Sequence, residues 1–275
     1  MTSERKGWAL SLPYIVWSVG FTLIPLAVIT RYAFTDSEGH FTFSNVAAIG
    51  NRINGRAFLV SLLVAVVCTL ICVALAYPLV MAIRRLNLSS SAFILIFMIL
   101  PMWMNFILRI LAWQMILADN GVLNRMLTII GLSPVYVANT WTAVVIGVVY
   151  DYFPYMMLPI YTAVSDIERD VTEAACDLGA GSFSVFTRVI FPLSLPGLWS
   201  GITMVFVPSM TSFAVADILG GGKTQLIGNI IEQEFMRSSE MNLGSGLSVA
   251  LMIFMLLTLP VTVRGNKTEE GGADR

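Results

Sequence analysis

The chain has 275 residues, of which 57% are hydrophobic and only 12% charged, and its formal net charge is −1. A soluble domain of this length carries roughly twice that charged fraction, and the near-neutral balance offers nothing to nucleic acid. The charges also cluster and leave long uncharged runs. About 20 apolar residues span a bilayer as a helix, so the chain is expected to be an all-α, polytopic membrane protein in a lipid bilayer.

Residues 1–7 are a short polar start with Arg5 and Lys6. Trp8 to Thr30 is uncharged for 23 residues and forms the first expected span, 8–30. A secretory signal has a shorter apolar core closed by small residues. This stretch carries Pro13 and Pro25, ends at Arg31-Tyr32, and is expected to be retained. A polar loop, 31–56, holds the single histidine, His40, to which no role is assigned. The second span, 57–83, stops at Arg84-Arg85. Ser89 to Ser91 make a turn before the third span, 92–118, which contains Pro101, Trp103, Asn105, Arg109, Trp113 and Gln114. Cys68 and Cys72, four apart in the second span, read as small packing residues.

A second loop, 119–139, opens on the turn sequence Asp119-Asn120-Gly121. The fourth span, 140–164, carries Asp151 at its middle and Pro154 and Pro159 after it. A charged segment, 165–194, leads to the fifth span, 195–216, with Pro208 inside. A third loop, 217–242, and the sixth span, 243–263, follow. The tail, 264–275, is polar and expected to be disordered. The whole of 1–275 reads as one transmembrane domain.

Orientation follows from Lys and Arg in the connecting segments. With a cytoplasmic N-terminus the inner segments carry Arg5, Lys6, Arg84, Arg85, Arg169, Arg188, Arg264, Lys267 and Arg275, which is nine. The outer loops carry Arg31, Arg52, Arg56, Arg125, Lys223 and Arg237, which is six. Both termini and the 165–194 segment are therefore expected in the cytoplasm.

Gly221-Gly222-Lys223-Thr224 invites a phosphate-loop reading, but that motif needs Gly five residues before the Gly-Lys pair. Asp217 stands there. No cofactor is expected in this chain, no metal-ligand spacing is present, and nothing reads as catalytic. Energy must come from a partner chain or an ion gradient.

Charges inside a membrane are costly unless paired or wet. Arg109 and Asp151 lie within spans, and Asp217 at a span end. Either some of them line a solute pathway, or Arg109 and Asp151 pair with each other for structure. Asp151 sits in Tyr150-Asp151-Tyr152-Phe153-Pro154-Tyr155, and an acid among aromatic faces suits an organic cation. Trp103 and Trp113 fit either that pathway or an interfacial belt.

Asp166 to Pro196 is the longest charged stretch between two spans. Asp166 to Leu178 reads as a helix, Gly179-Ala180-Gly181 as a break, and Phe183 to Ile190 as a second short helix stopped by Pro192. A rigid helical elbow of this kind on a membrane protein points to docking of another protein.

Within it, Glu173-Ala174-Ala175, then Gly179, then Val189-Ile190-Phe191-Pro192 resembles the EAA loop of ABC-importer permeases. Val189 and Phe191 replace the usual Ile and Leu. Ile99-Leu100-Pro101-Met102-Trp103 with Arg109-Ile110-Leu111-Ala112-Trp113 resembles the third-span signature of spermidine/putrescine importer permeases. Asp217 to Lys223 and Leu226 to Ile231 are similar to a segment after their fifth span. The likeness extends from the first span to the sixth and is nearest to the B-type permease subunit.

The resemblance implies a type I importer permease fold of six transmembrane helices in a bacterial inner membrane. It implies coupling to a cytoplasmic ATPase dimer through Glu173, Ala174, Ala175, Gly179 and Pro192, with ATP and Mg bound by that ATPase. It also implies a second, homologous permease, an extracytoplasmic solute-binding protein on the outer loops, and a small-molecule substrate, a polyamine, with another small organic solute as the alternative, since related permeases carry such solutes. The candidate solute-pathway residues are Trp103, Arg109, Asp151, Tyr152 and Asp217. An ion-coupled secondary transporter is the rival, although those folds usually contain internal repeats, and none is visible. A membrane enzyme or assembly scaffold would need a catalytic cluster or a larger outer domain.

Overall fold

A computed structural model describes residues 2–84, 88–238 and 241–270, with 2–12, 15, 88–92, 237–238 and 259–270 described by backbone alone. The side chains of Arg5, Lys6, Arg85, Arg237, Arg264, Lys267 and Arg275, which enter the orientation argument, lie outside the described residues. Among the described residues the architecture is helical, with a single isolated bridge between Thr35 and Phe41.

The helices are α1 (Thr2–Ala33), α2 (Ser44–Ala47), α3 (Arg52–Arg84), α4 (Leu88–Ile99), α5 (Phe106–Leu117), α6 (Val122–Ile129), α7 (Trp141–Ser165), α8 (Arg169–Asp177), α9 (Ser182–Val185), α10 (Phe191–Leu193), α11 (Leu195–Met210), α12 (Phe213–Gly220), α13 (Ile227–Gln233) and α14 (Met241–Glu270). Among the described residues, five stretches are long and apolar enough to cross a membrane: Val16–Ala33, Arg52–Arg84, Phe106–Ile129, Trp141–Ser165 and Met241–Thr258. The bent pair Ser182–Leu193 and Leu195–Met210 brings the number to six.

Several boundaries differ from expectation. The third span does not run unbroken over 92–118. Leu100–Trp103 is a 3₁₀ turn and α5 starts afresh at Phe106. Two residues force this. Pro101 lacks an N–H for the helix ladder. Asn105 caps α5, its Oδ1 accepting from the N–H of Ile107 at 2.9 Å and of Leu108 at 3.3 Å. The three serines are the first turn of α4 rather than a separate turn. α14 continues as helix to Glu270, where a disordered tail was expected, and 271–275 lie outside the described residues.

Contacts divide the chain into two compact units, 1–55 with 230–254, and 56–229 with 255–275. In the first, Asn45 organises the segment after α1, donating from Nδ2 to the Thr35 carbonyl at 2.9 Å. Phe34, Phe41 and Phe43 form an aromatic cluster there, with ring centres 5.0–6.0 Å apart. Gly246 packs directly on the Asn45 backbone, a contact that leaves no room for a Cβ.

The second unit is built around α7. One buried cluster joins Cys72, Ala76, Val80 and Ile83 of α3 to Met156, Met157, Ile160 and Val164 of α7 and Leu198 and Val205 of α11. The other joins Val64 and Cys68 to Ile110, Val144, Val148, Val215, Ala216 and Leu219. Both cysteines are buried and free, as packing residues are. Glycine permits the closest helix approaches: a Cβ on Gly197 would strike the Pro159 carbonyl, and one on Gly201 would sit 2.8 Å from Met156 Sδ. The pair is a small-xxx-small face of the kind that lets membrane helices meet backbone to backbone.

Candidate functional site

The two charges expected inside the membrane face each other. Asp151, on α7, is 3% exposed, and Arg109, on α5, is 11% exposed. Arg109 Nη2 lies 3.5 Å from Asp151 Oδ1. Neither carboxylate oxygen has a hydrogen-bond partner in the structure, and Arg109 Nε has none either. Arg109 donates instead from Nη1 to the Pro101 carbonyl, at 3.2 Å. The Phe106 ring centre is 5.9 Å from its guanidinium carbon. The helix break and the ion pair are therefore one arrangement. Pro101 and Asn105 interrupt the helix, and the carbonyl at the interruption receives the arginine.

Beside the pair is a cavity of ≈ 640 Å³. Its walls are Ile71 and Leu75 of α3, Phe97 and Met98 of α4, Arg109 and Trp113 of α5, and the α7 residues from Val145 to Pro154 that face it. Trp113 and Tyr150 meet edge to face with ring centres 5.2 Å apart. The cavity is apolar and aromatic, with Arg109 as the charged group on its wall.

The other candidate pathway residues are held elsewhere. Tyr152 directs its hydroxyl to Ser212, at 3.3 Å. Trp103 is 89% exposed at the 3₁₀ turn. Asp217 lies on α12, where its Oδ1 accepts from Asn229 Nδ2 at 2.8 Å. The same amide donates to the Phe213 carbonyl at 3.0 Å, and its Oδ1 accepts from the Leu226 N–H at 2.9 Å.

The segment 217–242, expected as a third outer loop, is accordingly not an open loop over its described residues. α12 ends at Gly221, in the left-handed region at φ +55°, with Gly222 following at φ +74°. The chain then turns into α13 with Leu226, Ile227 and Asn229 fully buried. Ser61 on α3 accepts the Ile227 N–H at 2.8 Å. Sequence reading missed Asn229 and Ser61. A polar residue inside an apolar run was the available signal.

The elbow has the expected order of helix, glycine turn and helix. α8 ends in a Schellman turn: Gly179 takes φ +86°, its N–H donates to the Cys176 carbonyl at 2.8 Å, and the Ala180 N–H donates to Ala175 at 3.1 Å. α8 has no buried residue, and Glu173 and Ala174 are exposed on it. Leu178 and Phe183 stand 90% and 79% exposed on either side of the turn.

Pro192 does not end the second helix. Phe186–Ile190 is a π-helical turn closed by the Phe191 N–H on the Phe186 carbonyl, and Pro192 stands in the first turn of α10, where its missing N–H is tolerated. The chain continues through α10 and bends by 67° into α11. Tyr77 on α3 reaches this bend, its hydroxyl 2.9 Å from Ser194 Oγ.

Residues 74–264, about two thirds of the chain, match the family model "Binding-protein-dependent transport system inner membrane component". The chain is 35% identical to the spermidine/putrescine transport system permease protein PotB of Haemophilus influenzae, over 91% of both chains. It is 32% identical to the protein of that name from Escherichia coli K12, over 91% of this chain and 94% of that one. The fold is similar to a chain of the bacterial alginate ABC transporter solved with an alginate-bound periplasmic protein: TM-score 0.81, 16% identity, covering 97% of this chain and 96% of that one. It is also similar to a chain of the MetNI methionine ABC transporter, with a TM-score of 0.56, 18% identity, and coverage of 78% and 94%. By the family match and by these relatives, the chain belongs to the binding-protein-dependent transport system inner membrane components.

Proposed function

We propose that the chain is the transmembrane permease subunit of an ATP-driven importer for a polyamine such as spermidine or putrescine. It forms half of the solute pathway, a second homologous permease forms the other half, and a solute-binding protein delivers cargo from the outer side. The 166–192 elbow lies in the cytoplasm, as do both termini. It docks into an ATPase, one copy beneath each permease, and those copies bind ATP and Mg.

The observation that carries the coupling role is the elbow's exposed apolar surface. Val171 and Leu178 on and beside α8, and Phe183 just past the glycine turn, stand exposed in this chain alone, and an exposed apolar patch of this kind marks a surface that a partner protein covers. Glu173, Ala174 and Ala175 lie on the same helix, Gly179 sets the turn, and Pro192 follows the π turn before the bend. Closure of the ATPase pair on ATP moves the elbows together and turns the pathway outward, and hydrolysis resets it.

The polyamine assignment rests on the relatives and on Asp151, a buried acid in the aromatic stretch Tyr150-Asp151-Tyr152-Phe153 of α7. Arg109 and Asp151 are the proposed centre of the pathway. Tyr152, Trp103 and Asp217 belong to it only if another state of the cycle brings them to the pair.

The test is ATPase activity of the assembled complex in lipid, with binding protein empty or loaded with spermidine. Stimulation by the loaded form is expected. Stimulation only by another loaded solute would remove the polyamine and keep the importer. Solute uptake with no ATPase present would overturn the importer.

A further inference from the structure

The Arg109–Asp151 pair is incomplete as an ion pair. An ionised carboxylate is an acceptor at both oxygens, and a buried one that accepts no hydrogen bond is costly. Here Oδ1 and Oδ2 are both buried without such a bond. Arg109 supplies charge at 3.5 Å, yet its hydrogen bond goes to the Pro101 carbonyl. That carbonyl belongs to the interrupted stretch between α4 and α5, with Met104 and Asn105 extended beyond it. The arginine is thus tethered to a place where the helix is already broken.

Position adds a second observation. Tyr150 and Pro154 flank Asp151 on α7 and line the ≈ 640 Å³ cavity, as Arg109 does, but Asp151 does not. Arg109 is the charged residue on the cavity wall, and Asp151, its partner at 3.5 Å, is not part of that wall. The remaining lining suits an alkyl chain ending in an ammonium: aliphatic Ile71, Leu75 and Val149 along the wall, and Trp113 and Tyr150 presenting rings. An ammonium has three donors on a compact head and can fill the acceptors that the planar guanidinium leaves open.

We propose that Asp151 is a subsite for an ammonium group of the solute, and that Arg109 is a built-in competitor that holds the place until the solute displaces it. This rests on the importer reading above. Exchange of one cation for another keeps the buried carboxylate neutralised throughout. Competition from Arg109 weakens solute binding, so that cargo leaves the pathway instead of remaining in it.

The experiment uses the full complex in lipid nanodiscs, without binding protein, and reads the thermal unfolding midpoint with and without millimolar putrescine. Arg109→Met should gain more from putrescine than the wild type, by several degrees. Asp151→Asn and the charge-neutral double variant R109M/D151N should gain nothing. If Arg109→Met does not assemble, the double variant decides. In proteoliposomes it should transport at least tenfold more slowly than the wild type. A double variant that assembles and transports like the wild type would make the pair purely structural and overturn the proposal. Equal stabilisation of Asp151→Asn by putrescine would overturn it too. Spermidine-loaded binding protein, tested on the wild type in the same preparation, reports separately on the importer reading.

Discussion

Asn229 and Asp217, twelve residues apart, are joined by a 2.8 Å hydrogen bond inside the turn that connects α12 to α13. Asn229 has no exposed surface and makes three hydrogen bonds, to Asp217, to the Phe213 carbonyl and from the Leu226 N–H. Asn229→Leu removes all three and strands buried backbone groups, at about 1–3 kcal/mol for each one left unsatisfied. Asp217→Asn should cost less, because an amide oxygen still accepts from Asn229. Thermal unfolding of the purified complex ranks the two, and an Asp217→Asn protein less stable than Asn229→Leu would contradict the geometry.

The Tyr77–Ser194 contact at the 67° bend predicts an asymmetry. Ser194 Oγ also donates to the Phe191 carbonyl at 3.0 Å, so Tyr77→Phe leaves the serine satisfied and should cost no more than about 1 kcal/mol. Ser194→Ala instead leaves a buried tyrosine hydroxyl without its partner and should cost about 1–3 kcal/mol. Denaturation midpoints of the two variants in detergent provide the comparison.

Gly179 separates backbone strain from docking. Its φ of +86° penalises any Cβ, but open space lies around the position where that Cβ would be. Gly179→Ala should therefore destabilise the turn by about 1 kcal/mol, and Gly179→Asn by less, since Asn tolerates this region. Gly179→Trp carries the same backbone penalty and adds a bulky group on the exposed surface. If that surface docks an ATPase, Trp should uncouple hydrolysis from uptake far more than Ala does. Equal ratios of uptake to hydrolysis in the two variants would count against docking.

Gly197 and Gly201 should differ in tolerance although they share one helix face. A Cβ on Gly197 meets backbone, the Pro159 carbonyl, and lies 2.6 Å from Ala163 Cβ. The nearest atom at Gly201 is Met156 Sδ, on a flexible side chain. Gly197→Ala should cost the upper part of the roughly 1–3 kcal/mol typical of overpacking, and Gly201→Ala the lower part. Midpoint shifts measured side by side would show the order.

Much of this protein was legible in its sequence. Uncharged runs of about 20 residues have one stable use in a bilayer, where every backbone group must be satisfied within the segment. That physics specifies the membrane class. The elbow was legible for a local reason too. A glycine at φ +86° ends a short polar helix by a turn that needs no distant partner. The Gly197-xxx-Gly201 spacing was also present to be read, and was overlooked.

What the tertiary structure decided is where apolar segments stop and which polar groups meet. Apolar residues dominate from Ala92 to Leu117 and make one long span the simplest reading, so the break before α5 shows only in the Asn105 cap and in Arg109 turning back to the Pro101 carbonyl. Residues 217–229 look like an outer loop because they are rich in Gly and carry charge. Asn229 and Ser61 bury that turn by accepting the Leu226 and Ile227 N–H groups, the second from 166 residues away. The meeting of Arg109 with Asp151, 42 positions along the chain, is of the same kind. Composition raises the cost of each buried charge, and only packing determines which partner offsets it.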